Sequence, residues 1–190
     1  MRLAKEFYLN DNVIQVAKEL LGKFLCTNIN GKFTSGMIIE TEAYNGINDK
    51  ASHAYNNKRT SRTETMFKKG GVAYIYLCYG IHHLFNVVTS QSNIPHAVLI
   101  RSLAPIEGVD TMKKRRDKDI FDKLLTSGPG SLSKALSIIT KFDGVGLTGN
   151  KIWIEERGVE FDNRDIITTP RIGVDYAQED ALLAYRFLLK

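Results

Sequence analysis

The Asn30-Gly31 pair constrains this chain more than any other feature, because it separates two strand-like runs, KFLCTNI and KFTSGMIIETEAY. Both residues accept the positive φ angles of a tight hairpin turn, so the runs are expected to pair as antiparallel strands. A second pair is predicted around Tyr79-Gly80 within VAYIYLCYGIHHLFNVVTS, which is rich in β-branched and aromatic residues, and HAVLIRSL reads as another strand. In DNVIQVAKELLG, Val13, Ile14, Ala17, Leu20 and Leu21 recur on one helical stripe, with Asn10 or Asp11 as the start signal. Such a helix covers a sheet. Further helices are expected at about 106–117 and 131–140, KIWIEE returns to strand, and the final segment has no decisive period. The order predicts one α+β domain over residues 1–190, with a curved, mainly antiparallel sheet partly wrapped by helices and a protruding hairpin.

At 190 residues, 43% hydrophobic and 25% charged, the composition is that of a folded domain rather than a disordered chain. MRLAKEFYLNDN has no apolar h-region and the greasiest stretch, VAYIYLCY, is too short to span a bilayer, so a soluble, unexported protein without a membrane partner is expected. Cys26 and Cys78 lie in apolar strand-like runs without metal spacing, as buried thiols of a reducing cytosol would. The expected location is the cytoplasm, at the nucleoid in a bacterium. A net charge of +5 favours a polyanionic partner, although a solvated cationic surface accounts for it equally and charge alone does not decide. The block KKRRDK (113–118) reads as a solvated helix face, whereas Lys58, Arg59, Arg62, Lys68 and Lys69 are interleaved with Tyr, Thr and Phe.

Strand alternation sends Glu40, Glu42 and Tyr44 to one face, and Ile39, Thr41 and Ala43 to the other. If the first face lines a cleft, Glu42 polarises water while Tyr44 stacks on a planar ligand, which suits nucleobase chemistry; otherwise it is a solvated strand face. His53 follows in an irregular segment, as a hydrogen-bond donor and stacking surface or as an exposed loop histidine. Tyr74 and Tyr76 share a face, and Tyr79 falls near the hairpin turn, where a ring is placed to wedge into a base stack. Asn86 and Arg101, inside otherwise apolar strands, each require a polar partner if buried. The adjacent pair His82-His83 points to opposite sides of a strand and makes no metal site by itself. GVGLTG (144–149) satisfies a dinucleotide-binding spacing but lacks the strand before and helix after it. In SGPGSLSKAL, Ser131 serves as a helix N-cap, a place where a DNA phosphate also fits.

Taken in order, IETEAYNGINDKASHAYNNKRTSRTETMF, VAYIYLCYGIHHLFNVV, AVLIRSLAPIEG and GPGSLSKAL resemble the alkyladenine (3-methyladenine) DNA glycosylase family, with weaker echoes in TPRIGV and near YRF. The resemblance implies a monofunctional repair enzyme that takes duplex DNA containing damaged purines as its partner. It extrudes the purine and hydrolyses the N-glycosidic bond, leaving an abasic site; neither cofactor nor metal is implied, and a monomer is expected. Carried over by position, Glu42 matches the water-activating base and Arg101 a residue supporting that water. Tyr44 and His53 match residues that sandwich or hydrogen-bond the purine, Tyr76 the opposing aromatic wall, and Asn86 the residue that disfavours a guanine 2-amino group. Tyr79 matches the side chain inserted through the minor groove. Arg59 and Arg62 are the expected phosphate contacts, joined by Ser131, although the family often has lysine there. The rival is a non-catalytic nucleic-acid-binding module using the same basic and aromatic surface.

Overall fold

The computed structural model describes residues 1–117 and 122–190; Lys118, the last residue of the KKRRDK block, lies outside them. Strand β1 (Phe24–Ile29) turns through Asn30 (φ 54°) and Gly31 (φ 70°) into β2 (Lys32–Tyr44), as the sequence predicts. The second hairpin joins β3 (Ala73–Cys78) to β4 (His82–Thr89), followed by β5 (His96–Glu107), β6 (Ile152–Glu155), β7 (Ile166–Thr169) and β8 (Arg186–Leu189). These strands form one curled antiparallel sheet in the order β3-β4-β5-β2-β1-β6. The 13-residue β2 organises it, because it pairs with β5 along one edge and its other edge serves β1 first and then β8, which carries β7. Two register shifts between β2 and β5, either side of Glu40, bend the sheet where the polar residues lie.

Helix α1 (Val13–Glu19) begins one residue later than expected: Asn12 is the cap, its side-chain oxygen accepting the Gln15 N–H at 3.0 Å, while Asn10 holds the Asn12 N–H. The helix predicted from 106 starts at Val109, since β5 runs on to Glu107 and Gly108 takes a φ of 71° where an added Cβ would clash with the Phe33 carbonyl and Thr34; α2 then spans Val109–Arg116. A short α3 (Asp122–Leu125) precedes α4 (Pro129–Ala135). Pro129 opens α4 and Gly128 is its cap residue, so Ser131 sits third in the helix and does not cap it, contrary to expectation. Among the described residues, no helix is long and apolar enough to cross a membrane.

Alternation divides each central strand between two environments. Ala73 and Ile75, Phe85 and Val87, and Val98 and Ile100 join Val16, Leu20 and Leu21 of the α1 segment in the main core, which also takes in Met112, Leu132 and Phe187. Tyr74, Asn86 and Leu99 turn the other way. GVGLTG contributes isolated bridges, at Gly146 to Val72 and at Thr148 to Trp153, rather than a strand-to-helix turn.

Candidate active site

The face opposite the main core is a wall of a cavity of about 590 Å³. Strands β3, β4 and β5 supply Tyr74 and Tyr76, Leu84 and Asn86, and Leu99 and Arg101; Tyr44 of β2, His53, Arg62 and the segment from Ile172 to Tyr176 complete it. The alternation that sends Phe85 inward sends Asn86 to this side. Its amide nitrogen donates to the carbonyls of Tyr74 (3.1 Å) and Leu84 (3.4 Å), which is the polar partnership a buried asparagine requires.

Glu42 lies on this side of the sheet but behind the wall, with no exposed surface. Its carboxylate accepts the Tyr44 hydroxyl on Oε2 at 2.9 Å and the Ile172 N–H on Oε1 at 2.9 Å, and Arg101 Nη1 stands 3.3 Å from Oε1. Tyr44, Arg101 and Ile172 all line the cavity. The carboxylate is therefore not itself open to the cleft: the Ile172 backbone lies against it, and its hydrogen-bond partners connect it to the cavity. The two oxygens of a carboxylate offer about four acceptor positions, so Oε2, engaged by Tyr44, retains the capacity to accept from a further donor. Arg101 also donates through Nε to Glu40 Oε1 (3.0 Å), and Arg186 of β8 donates to the same oxygen at 2.7 Å. Burial, and then the neighbouring Glu42 charge, raises the Tyr44 pKa well above its usual value, so its phenol stays protonated and remains a donor.

The aromatic wall is a cluster rather than a pair of isolated rings. Tyr74 and Tyr76 lie 5.4 Å apart between centroids, and His53 stands edge-on to Tyr76 at 4.6 Å. The Arg62 guanidinium covers Tyr76 at 4.9 Å. His53 Nδ1 is 2.9 Å from the Tyr74 hydroxyl, and Arg62 Nη2 is 3.5 Å from Nε2. A guanidinium can only donate, so this geometry makes Nε2 the acceptor and leaves the imidazole proton on Nδ1, directed at the Tyr74 oxygen. Burial, reinforced by Arg62 and Lys58, lowers the His53 pKa to about 4, so the ring is neutral at pH 7. Burial likewise raises Tyr74 to about 12.

Tyr79 is 90% exposed at the tip of the β3–β4 hairpin and holds a φ of 51°. That is left-handed backbone, costing about 1 kcal/mol for a residue with a side chain. Cys78, expected to be buried, is part-exposed beside it and lines the cavity, because the hairpin projects beyond the sheet; Cys26 is buried and raised to about 12, burial being the largest cause. Arg59 is engaged within the protein. Its Nε and Nη2 donate to Glu64 at 2.8 and 2.7 Å, Nη1 donates to Asn93, and the guanidinium covers Phe67. Arg62 stays at the cavity mouth. Ser131 lies on α4, outside this cavity.

Sequence reasoning missed the scaffold behind Glu42. Arg171 is buried and grips Asp49 in a two-pronged ion pair (2.5 and 2.9 Å), donates to the Ala43 carbonyl at 2.9 Å, and lies over the rings of Tyr44 (4.9 Å) and Tyr185 (5.3 Å). This fixes the segment whose next residue, Ile172, donates its N–H to Glu42. The arginine in TPRIGV and the arginine in YRF were the available signals, but Asp49 is 122 residues from Arg171 and nothing local joins them.

A carboxylate beneath an aromatic, cationic cavity has the chemistry suited to hydrolysis at a planar base attached to a polyanion. Residues 6–190 match the methylpurine-DNA glycosylase family, and the chain belongs to it. Relatives provisionally named 3-methyladenine DNA glycosylase include one from Chlamydia felis, 52% identical over 98% of this chain and 95% of its own length. Others come from Clostridium acetobutylicum, 44% identical over 100% of this chain and 95% of its own, and Alkaliphilus oremlandii, 42% identical over 100% and 96%. The protein is thus a hydrolase of N-glycosyl bonds in DNA repair, acting on alkylated purines.

Proposed function

We propose that the protein is a monofunctional glycosylase that flips damaged purines of the 3-methyladenine, 7-methylguanine and hypoxanthine type out of duplex DNA and hydrolyses the N-glycosidic bond with water activated by Glu42. The observation that carries this reading is the buried Glu42 carboxylate held by two cavity-lining side chains, Tyr44 and Arg101. The extruded purine occupies the cavity, with Tyr44 and Tyr76 against its faces and His53 and Asn86 at its edges. Its sugar C1′ is then brought toward Glu42. Water adds to C1′ as the bond to the base nitrogen breaks; the electron pair of that bond leaves with the purine, and Glu42 takes the water proton. Positive charge developing on the sugar is stabilised by the same carboxylate, and Arg101 holds that carboxylate in place.

A 3- or 7-methylated purine is already cationic, so it departs neutral without a general acid. The tyrosine cage favours the cation by roughly 0.5–2 kcal/mol per contact. Neutral hypoxanthine needs a proton, and His53, with a pKa near 4, is a poor donor at pH 7. Methylated purines are therefore the better substrates. Tyr79 enters the minor groove from the hairpin tip, and its exposure and strained backbone support that role. Arg62, and to a lesser degree the already paired Arg59, supply phosphate attraction at the rim, while the contact expected at Ser131 falls on α4 beyond the cavity.

The test incubates the protein, with chelator present, with duplexes carrying methylated purine or hypoxanthine, and scores free base and strand breaks before and after alkali. Free base with breaks appearing only after alkali is the expected result. Glu42→Gln should lower base release by about 10²–10⁴-fold while retaining affinity for damaged duplex. Undiminished release by that variant removes Glu42 from the mechanism.

A further inference from the structure

On the other side of the β3–β4 hairpin lies a second cleft, of about 560 Å³. Ile81 and His82 form its hairpin wall, Arg115 and Arg116 come from the last turn of α2, and Ser133 and Lys134 from α4. Among the described residues that line it, none is an Asp or a Glu. Hairpin and helix approach closely at Gly130, where an added Cβ would stand 2.8 Å from His82 Nδ1.

Two polar groups in this cleft have no hydrogen-bond partner among the described residues. Ser133 is fully buried and its hydroxyl is unsatisfied, and Arg116 Nε is unsatisfied as well. A buried donor without an acceptor is costly, and folded proteins rarely retain one without a use. Both residues line the cleft, to which Arg115, Arg116 and Lys134 bring positive charge that no carboxylate among its described lining residues offsets. Arg115 is held in the wall through its donation to the Ala135 carbonyl at 3.0 Å. A tetrahedral dianion or phosphodiester satisfies this set, since its oxygens accept from hydroxyl and guanidinium alike and meet the charge.

The position of the cleft selects the source of that phosphate. Leu77, Cys78 and Tyr79 line the purine cavity, whereas Ile81 and His82 line the cleft, so the hairpin tip divides the two. A duplex entered at Tyr79 has sugar-phosphate backbone on both sides of the wedge. We propose that this cleft is a phosphate-binding site for the DNA backbone beyond the hairpin, with Ser133, Arg116 and Lys134 as its donors. The proposal rests on the reading of Tyr79 as the side chain that enters DNA. Charge on one side of the wedge then opposes the pull of the purine cavity on the other, and the strand is held while the base swings out.

The experiment measures the affinity of the whole protein for an undamaged duplex across a salt series. Arg116→Gln with Lys134→Gln is expected to flatten the slope of log Kd against log salt by about 0.9 for each phosphate that is no longer neutralised. Ser133→Ala is expected to weaken binding several-fold without lowering the thermal unfolding midpoint of the free protein, because its hydroxyl has no partner among the described residues to lose. An unchanged slope, or a lower midpoint in Ser133→Ala with unaltered DNA affinity, overturns the proposal. So does inorganic phosphate that raises the midpoint of the unaltered protein, not of Ser133→Ala, and fails to compete with duplex, since that describes a small-anion site. Base release by the unaltered protein is scored separately. Release with an unchanged slope sinks the cleft and spares the glycosylase reading, while a flattened slope without release does the reverse.

Discussion

On β4, Phe85 and Val87 pack into the main core, while Asn86 between them turns to the cavity and gives its amide protons to backbone carbonyls. The same division runs through β5, where Val98 and Ile100 are core and Arg101 is gripped by Glu40 and Glu42. One face of the sheet is held by volume and exclusion of water, the other by directed polar contacts that leave a hole in the middle. Stability and chemistry are thus separated by a single residue step along each strand. Substitutions on the two faces should differ in kind as well as in size.

The sharpest way to break this comparison is at Arg171, which serves both stability and site. Arg171→Met leaves the buried Asp49 carboxylate without its partner and should destabilise the fold by about 3–5 kcal/mol by urea titration. It should also abolish base release, since the segment bearing the Ile172 N–H loses its anchor. Adding Asp49→Asn removes the unpaired charge, so it recovers part of the stability and none of the activity. Recovered activity would show that Ile172 does not position Glu42.

Phe85→Ala attacks the core face alone. A loss of about 3–4 kcal/mol is expected from transfer and cavity terms, with base release per folded molecule preserved at a temperature where the variant is native. Loss of activity in the folded variant would mean that the faces are coupled.

His53 tests the cavity face through pH. Its folded pKa of about 4 lies below the usual 6.5, so the unfolded chain binds a proton that the folded chain does not. Its favourable contribution is therefore complete above about pH 6.5 and is lost as pH falls through 4. The full linkage is about 3 kcal/mol, and partial exposure of the ring reduces it to about 2. Urea midpoints of His53→Gln should fall less steeply than those of the unaltered protein between pH 6.5 and 4.5. Parallel profiles would show that His53 is not kept neutral by the fold.

Tyr79→Gly should give the smallest change in stability, within about 0.5 kcal/mol, because relief of left-handed strain offsets the greater freedom of the unfolded chain. Base release from duplex should nevertheless fall by about tenfold or more, with release from single strands spared. Equal losses on both substrates would exclude a wedge.

Much of this architecture was legible because it follows from local rules. Asn30-Gly31 accepts positive φ, the α1 stripe repeats at helical spacing, and period-two alternation separates Tyr74 and Asn86 from Ile75 and Phe85. The boundaries of α2 and α4 were not legible from period alone, since the left-handed φ of Gly108 and the position of Pro129 decide where each helix starts. Nor could alternation foresee that Glu42 is covered. It gives the side of the strand, not what comes down upon it.

The sequence by itself determined which side chains share a strand face, and through its ordered motifs the family to which the chain belongs. Only tertiary structure decided that Asp49 and Arg171 meet, that Arg186 closes on Glu40, and that Ile172 roofs the Glu42 carboxylate. The physical reason is range. Turn and period preferences act over a few residues of backbone, whereas a buried charge is satisfied by whichever partner packing brings near, however far away it lies along the chain.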